Sequence, residues 1–295
     1  KDFAAGPETC VSAMGKVAAL LLERYRAGKY PMAVVSTDNC SRNGEKIRSS
    51  VVAMVNKWVE NGFASQDFAA WVEDEANVSF PWTMIDKITP RPAPAVEKAL
   101  AEAGFEDMRV KVTGKNGYTA AFVNAEGPQY LVIEDRFPNG RPPLEKAGVF
   151  MTDRDTVNNV ERMKVMTCLN PLHTALAVYG CLLSYDSIAA EMRDPELKGL
   201  IEKIGYVEGM PVVTDPGIIK PMDFIHEVID QRFPNPFMPD TPQRIAMDTS
   251  QKISIRFGET IKAYAERSGL DPKALTFIPL AIAGWLRYLL AVDDE

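Results

Sequence analysis

The sequence predicts an α/β sheet over residues 1–153 and a mainly α-helical domain over 154–295, and three observations carry that division. The run PMAVVST at 31–37 is short, apolar and bounded by turn residues, as a buried parallel strand is, and the loop after it leads into a helical pattern. The stretch NVERMKVMTCLNPLHTALAVYGCLLSY at 159–185 repeats Val160, Met163, Met166, Leu169, Leu172, Leu176 and Tyr179 at a helical period, so one stripe should face a core. Beyond it the strand patterns cease and the apolar periods are helical. A chain of 295 residues with 46% hydrophobic content is ample for such a core.

In chain order, residues 7–27 read as a helix with Val11, Met14, Val17, Leu20, Leu21 and Tyr25 on its inner face, closed by Gly28. The strand at 31–37 follows, and DNCSRNG opens a helix that ends about Gly62. Residues 66–76 are helical, and NVSFPWTMIDKITPRP holds a short strand, a proline break and a second apolar run. A helix at 95–103 precedes an alternating region over 107–133, with a turn at Lys115-Asn116-Gly117 and its strongest strand in YLVIEDRF. A last strand at 147–152 reaches the central helix. Further helices are expected at 187–193, 195–204, 221–233, 254–268 and 274–291, with the proline-rich, polar segment 232–259 set among them.

Composition narrows the partners. With 33 basic against 40 acidic residues, a net charge of −7 and no basic run, nucleic acid and anionic membrane surfaces are excluded in favour of small molecules. Cys10, Cys40, Cys168 and Cys181 show no CxxC spacing, which suits reduced thiols, a cytoplasmic protein and no structural metal. Charge or proline interrupts the apolar runs before the roughly 20 residues a membrane span needs. The chain opens at Lys1 without a methionine and stops just after an apolar helix, so it is expected to be a fragment of a longer protein.

On the central helix, Lys164, Asn170 and His173 are the residue types that oxidise an alcohol or reduce a ketone without a metal: an amine to exchange the proton, an amide to hold the oxyanion, an imidazole to orient both. The same three residues also suit a solvated face, a helix-bending amide and a satisfied core histidine. Asp38 and Asn39 follow the first strand, where open α/β sheets take their ligands, or else cap the next helix. Asp86 and Lys87 interrupt an apolar run, as a buried ion pair or a loop pair. Arg244 and Lys252 flank a helical turn and suit a polyhydroxylated or anionic ligand, or form an exposed basic pair beside Asp240 and Asp248.

Five separated stretches, in register, resemble one family. They are VVSTDNCSRNG at 34–44, FPWTMIDKITP at 80–90, YLVIEDRFPNGRPPLEKAGV at 130–149, KVMTCLNPLHTALAVYG at 164–180 and NPFMPDTPQRIAMDTSQKI at 235–253. Together they are similar to the polyol-specific long-chain dehydrogenases, the mannitol dehydrogenase family. The resemblance implies a metal-independent oxidoreductase using NAD or NADP, built from the end of a Rossmann-like nucleotide-binding domain and a helical substrate domain. It implies Lys164 as catalytic base, Asn170 and Asn39 as oxyanion donors, His173 as the group orienting substrate hydroxyls, and Asp86, Arg244 and Lys252 as substrate contacts. Asp38 and Asn39 would touch the cofactor. The forms NPLHTALAVYG and NPFMPDTPQRIA are most similar to the branch acting on D-mannonate and its keto form D-fructuronate. Mannitol or another sugar alcohol is the alternative substrate, and a non-catalytic helical binding module the alternative class. A monomer or dimer is expected.

Two departures from the family pattern stand out. No G-x-G-x-x-G occurs in the sequence. The family lysine precedes its asparagine by five residues, whereas Lys164 precedes Asn170 by six. Pro171 has no N–H and weakens the helix there, so a π-bulge between Val165 and Asn170 is expected to absorb the surplus residue.

Overall fold

The computed structural model describes residues 1–87, 91–115, 117–123, 125, 127, 130–238 and 240–291. Two units emerge from its contacts: Lys1–Asp86 with Tyr130–Glu161, and Lys87–Gln129 with Arg162–Glu295. Seven strands are present among the described residues: β1 (Met32–Ala33), β2 (Val78–Ser79), β3 (Thr83–Asp86), β4 (Lys111–Val112), β5 (Tyr118–Thr119), β6 (Tyr130–Glu134) and β7 (Phe150–Thr152).

In the first unit β1 pairs parallel with β2, while β6 pairs antiparallel with β3 and parallel with β7. Helices Ala13–Gly28, Asn43–Glu60 and Gln66–Glu73 supply a core centred on Leu21, Val51, Trp58, Phe68 and Val72. The first of these helices differs from the sequence reading. It starts only after Ser12, whose hydroxyl accepts the Gly15 N–H at 3.0 Å, and its buried stripe is Gly15, Ala18, Leu21 and Leu22. Val11 and Leu20, expected inside, are both 70% exposed. Small residues set the close face: a Cβ on Gly15 would meet the Asp2 carboxylate at 2.5 Å.

The strand expected at 31–37 is shorter than its apolar run. After Ala33 the Val34 N–H still donates to the Ser79 carbonyl at 2.9 Å, and the chain then leaves the ladder. Asn43 fixes the loop that follows. Its amide donates to the Asp38 carbonyl at 2.9 Å and to the Thr83 hydroxyl at 2.7 Å, and its carbonyl accepts the Thr83 N–H at 3.0 Å. One buried side chain thus ties the segment carrying Asp38 and Asn39 to β3.

In the second unit β4 and β5 form the expected hairpin, closed by the Thr113 N–H on the Gly117 carbonyl at 2.8 Å; Asn116 of the expected turn lies outside the described residues. The helix Asn170–Leu182 runs through the middle. Its expected single stripe is corrected: Leu172, Thr174, Ala175, Leu176, Ala177 and Val178 are all buried, because helices Pro195–Glu202, Pro242–Ala246 and Phe277–Leu289 pack round it. The continuous helical stretch Arg154–Leu182 is long and apolar enough to cross a membrane, a length the sequence reading did not anticipate, but 61% of its apolar window is buried inside the protein.

Four π-helical turns occur among the described residues of this unit: Lys164–Cys168, Lys203–Gly209, Val228–Arg232 and Ser254–Gly258. Helix Phe277–Leu289 starts on a buried carboxylate. Glu208 accepts the N–H groups of Thr276 at 2.5 Å, Phe277 at 2.8 Å and Ile278 at 2.7 Å, three of the donors that a helix start leaves over. Another carboxyl has no such partners. Glu191 is 0% exposed, its two carboxyl oxygens hydrogen-bond to nothing among the described residues, and its carboxyl lies where a Cβ on Gly180 would stand; that Cβ would also meet Pro242 at 2.7 Å. Burial pushes its carboxyl up from 4.5 to about 9, so it is neutral at pH 7.

Candidate functional site

The second unit carries the central-helix residues. Between Lys164 and Leu169 the helix widens: the Leu169 N–H donates to the Lys164 carbonyl at 3.1 Å, five residues back, and the regular pattern resumes with the His173 N–H on the Leu169 carbonyl at 3.0 Å. This is the wide turn that the six-residue spacing calls for. Nine residues of ideal α-helix would set Lys164 and His173 about 180° apart, while absorbing one residue leaves about 80°. The widening has a local cause in Pro171, which brings no N–H to the carbonyls behind it. One of these, on Met166, takes the Thr260 hydroxyl at 3.3 Å. Lys164 itself is only 5% exposed, too buried for a solvated face.

His173 is fixed on two sides. Its Nε2 lies 3.1 Å from the Asp240 carboxylate, and its ring stacks on Phe233 with centroids 5.1 Å apart. Asp240 also grips the Arg244 guanidinium, so His173, Asp240 and Arg244 form one chain. The Asp240 carboxylate and the Phe233 ring together hold the orientation of the imidazole. Arg244 is 54% exposed at its side chain and keeps donors for a ligand, although its pairing with Asp240 is the one the plain surface reading anticipates.

Lys252 sits one turn before Arg256 and hydrogen-bonds the Met247 carbonyl. Burial, and then the charge of Arg256, lowers its pKa. Arg256 donates to the Thr174 hydroxyl, and Thr174 in turn donates to the Asn170 carbonyl at 2.8 Å. Desolvation lowers the guanidinium to about 10. The unit therefore brings His173, Arg244 and Lys252 together with Asp240, which the sequence reading named only as a surface neighbour of the basic pair, and with Thr174 and Arg256, which it did not single out. Asp240 and Arg256 stand in or beside stretches that carry the resemblance, but only the fold shows His173 beside the one and Thr174 beside the other.

The first unit carries Asp38, Asn39 and Asp86. Asp38 and Asn39 are exposed on the loop after β1, where the Asp38 N–H bonds the Ser36 hydroxyl at 3.3 Å. Asp86 is buried at the end of β3, opposite Tyr130 of β6.

Two family models match the sequence end to end: the mannitol dehydrogenase Rossmann domain over residues 3–146 and the mannitol dehydrogenase C-terminal domain over residues 156–295. The chain belongs to the mannitol dehydrogenase family. It is 58% identical to the D-mannonate oxidoreductase of Thermotoga maritima over 100% of this chain and 54% of that protein. It is 32% identical to the mannitol 2-dehydrogenase of Cereibacter sphaeroides over 99% of this chain and 55% of that protein. Among solved structures, D-sorbitol dehydrogenase in substrate-free form is similar with a TM-score of 0.81 at 29% identity, covering 99% of this chain and 55% of that one. The Pseudomonas fluorescens mannitol 2-dehydrogenase ternary complex with NAD and D-mannitol follows with 0.73 at 29% identity, covering 99% and 54%. The chain spans about half the length of the curated relatives it matches. As in the family, a Rossmann-type domain precedes a C-terminal domain.

Proposed function

We propose that this chain is part of a metal-independent, NAD(H)-dependent cytoplasmic oxidoreductase, monomeric or dimeric, that interconverts D-mannonate and D-fructuronate. The observation that carries the substrate is the 58% identity to a D-mannonate oxidoreductase along the whole chain. The chemistry rests on the second unit, where a buried lysine on a widened turn shares a helix with an amide and a carboxylate-held imidazole.

In this reading the Lys164 amine takes the proton of the substrate hydroxyl, the Asn170 amide donates to the developing alkoxide, and His173, aimed by Asp240, holds the neighbouring hydroxyls. When bound, the nicotinamide accepts or supplies the hydride. The exposed loop after β1, at the carboxyl end of a parallel strand, fits the nicotinamide end of the cofactor; the sequence offers no G-x-G-x-x-G for its pyrophosphate. The roles implied by resemblance alone are an oxyanion donor in Asn39, cofactor contacts in Asp38 and Asn39, and a substrate contact in Asp86. Single substitutions test each of these.

The test of the substrate is reduction by NADH with the full-length enzyme. D-fructuronate is expected to turn over faster than D-fructose. Turnover of ketoses with none of uronates would overturn the reading in favour of a sugar-alcohol dehydrogenase, the second reading, supported by the likeness to mannitol 2-dehydrogenases. Turnover with NADPH in place of NADH would reassign the cofactor. For Arg244, the Arg244→Ala variant is expected to raise KM for the sugar acid about 10- to 100-fold with a smaller effect on kcat, the weight of one charged hydrogen-bond donor. An unchanged KM for every sugar acid tried removes Arg244 from the site.

A further inference from the structure

We propose that Arg256 reads the carboxylate of the substrate and so sets a preference for sugar acids over neutral sugars. The inference rests on the sugar-acid reading above. Arg256 lies in the π-helical turn Ser254–Gly258, next to the fully buried Phe257, on a segment that packs against the widened turn of the central helix. Its guanidinium donates to the Thr174 hydroxyl. Thr174 is 0% exposed, neighbours His173 in sequence and is bonded to Asn170, so Arg256 is one hydroxyl away from the helix that carries the proposed chemistry.

What is missing around Arg256 is an anion. Among the described residues no carboxylate pairs with it, and Asp240 is held by His173 and Arg244. A guanidinium has five N–H donors, and the protein's hydrogen bond to Thr174 uses one group of them. Arg256, Lys252 and Arg244 thus set three cations against Asp240 and Asp248. Burying a cation without a counter-charge is costly, and a ligand carboxylate meeting the planar fork with two N–H bonds relieves that cost. Lysine at Lys252 offers a point charge beside it; only the arginine offers the paired geometry.

The competing role is mechanical: Arg256 braces Thr174 and with it the helix. The two roles differ in what they discriminate. Calorimetry on the full-length enzyme, with D-mannonate and its neutral amide, D-mannonamide, measures how much affinity depends on the carboxylate. Wild type is expected to prefer the acid by at least about 30-fold, and Arg256→Gln to bring that preference below about 3-fold. A variant that weakens acid and amide alike shows a brace and overturns the proposal, as does a variant, or a wild type, in which the preference is as expected of no contact: unchanged by substitution, or absent from the start. Where Arg256→Gln does not fold, Arg256→Lys decides, since it keeps the charge and loses the fork; an unaltered preference overturns the proposal. Turnover of D-fructuronate by wild type is a separate measurement, so the substrate reading can stand while this assignment falls.

Discussion

Lys164→Ala in the full-length enzyme lowers kcat by at least about 100-fold, the smallest loss expected when a general acid-base group is removed. Three features lead to this expectation. The lysine is buried, the turn that holds it is widened by one residue, and that widening brings it from the face opposite His173 to within about a quarter-turn of it. The turn is set by backbone bonds and by Pro171, so circular dichroism of the variant should match that of wild type, while loss of the buried side chain lowers its Tm. A loss below about 10-fold in a folded variant would hand the proton transfer to another group.

Glu191→Gln makes the protein more stable above neutral pH. In the folded state burial holds the Glu191 carboxyl protonated up to about pH 9, whereas the unfolded chain releases that proton near 4.5. The folded state therefore binds one more proton than the unfolded state across that interval, and stability falls as pH rises from 4.5 to 9. An amide of the same shape fits beside Gly180 and Pro242 and has no proton to lose. The variant should lack this slope and exceed wild type at pH 8 by a few kcal/mol, an upper range set by about 1.4 kcal/mol for each tenfold change in proton affinity. Thermal unfolding between pH 4.5 and 9 reads this directly. Parallel Tm profiles for the two proteins would mean that the carboxyl is ionised and compensated in the fold.

The elements and the site were legible in the sequence to different depths. The loop after β1, the antiparallel hairpin β4–β5 and the helices of the second half follow from turn residues and apolar spacing, which act locally. The widened turn at Lys164 was legible by counting, because a spacing of six where five is needed, together with Pro171, leaves few ways to place the surplus. The faces of two helices were not. The first helix approaches its neighbours through Gly15 and Ala18, and a reading that weights large apolar residues overlooks small ones. The central helix is enclosed on several sides by elements far away in sequence, and its own period cannot report them. For the same reason Asn43, Arg256 and Glu191 gave no signal: each is defined by a partner, or by the lack of one, that only the folded chain supplies.

The widened turn also bears on how such a helix tolerates a change in length. Because the surplus residue is taken up between Lys164 and Leu169, everything from Asn170 onward keeps its azimuth, and the packing against helices Pro242–Ala246 and Phe277–Leu289 never senses the insertion. The turn works as an expansion joint: loss of one residue within it returns the helix to regular pitch and alters nothing beyond, whereas the same loss after Asn170 would rotate the remaining helix by about 100° and take buried residues such as Leu172 and Leu176 out of their packing.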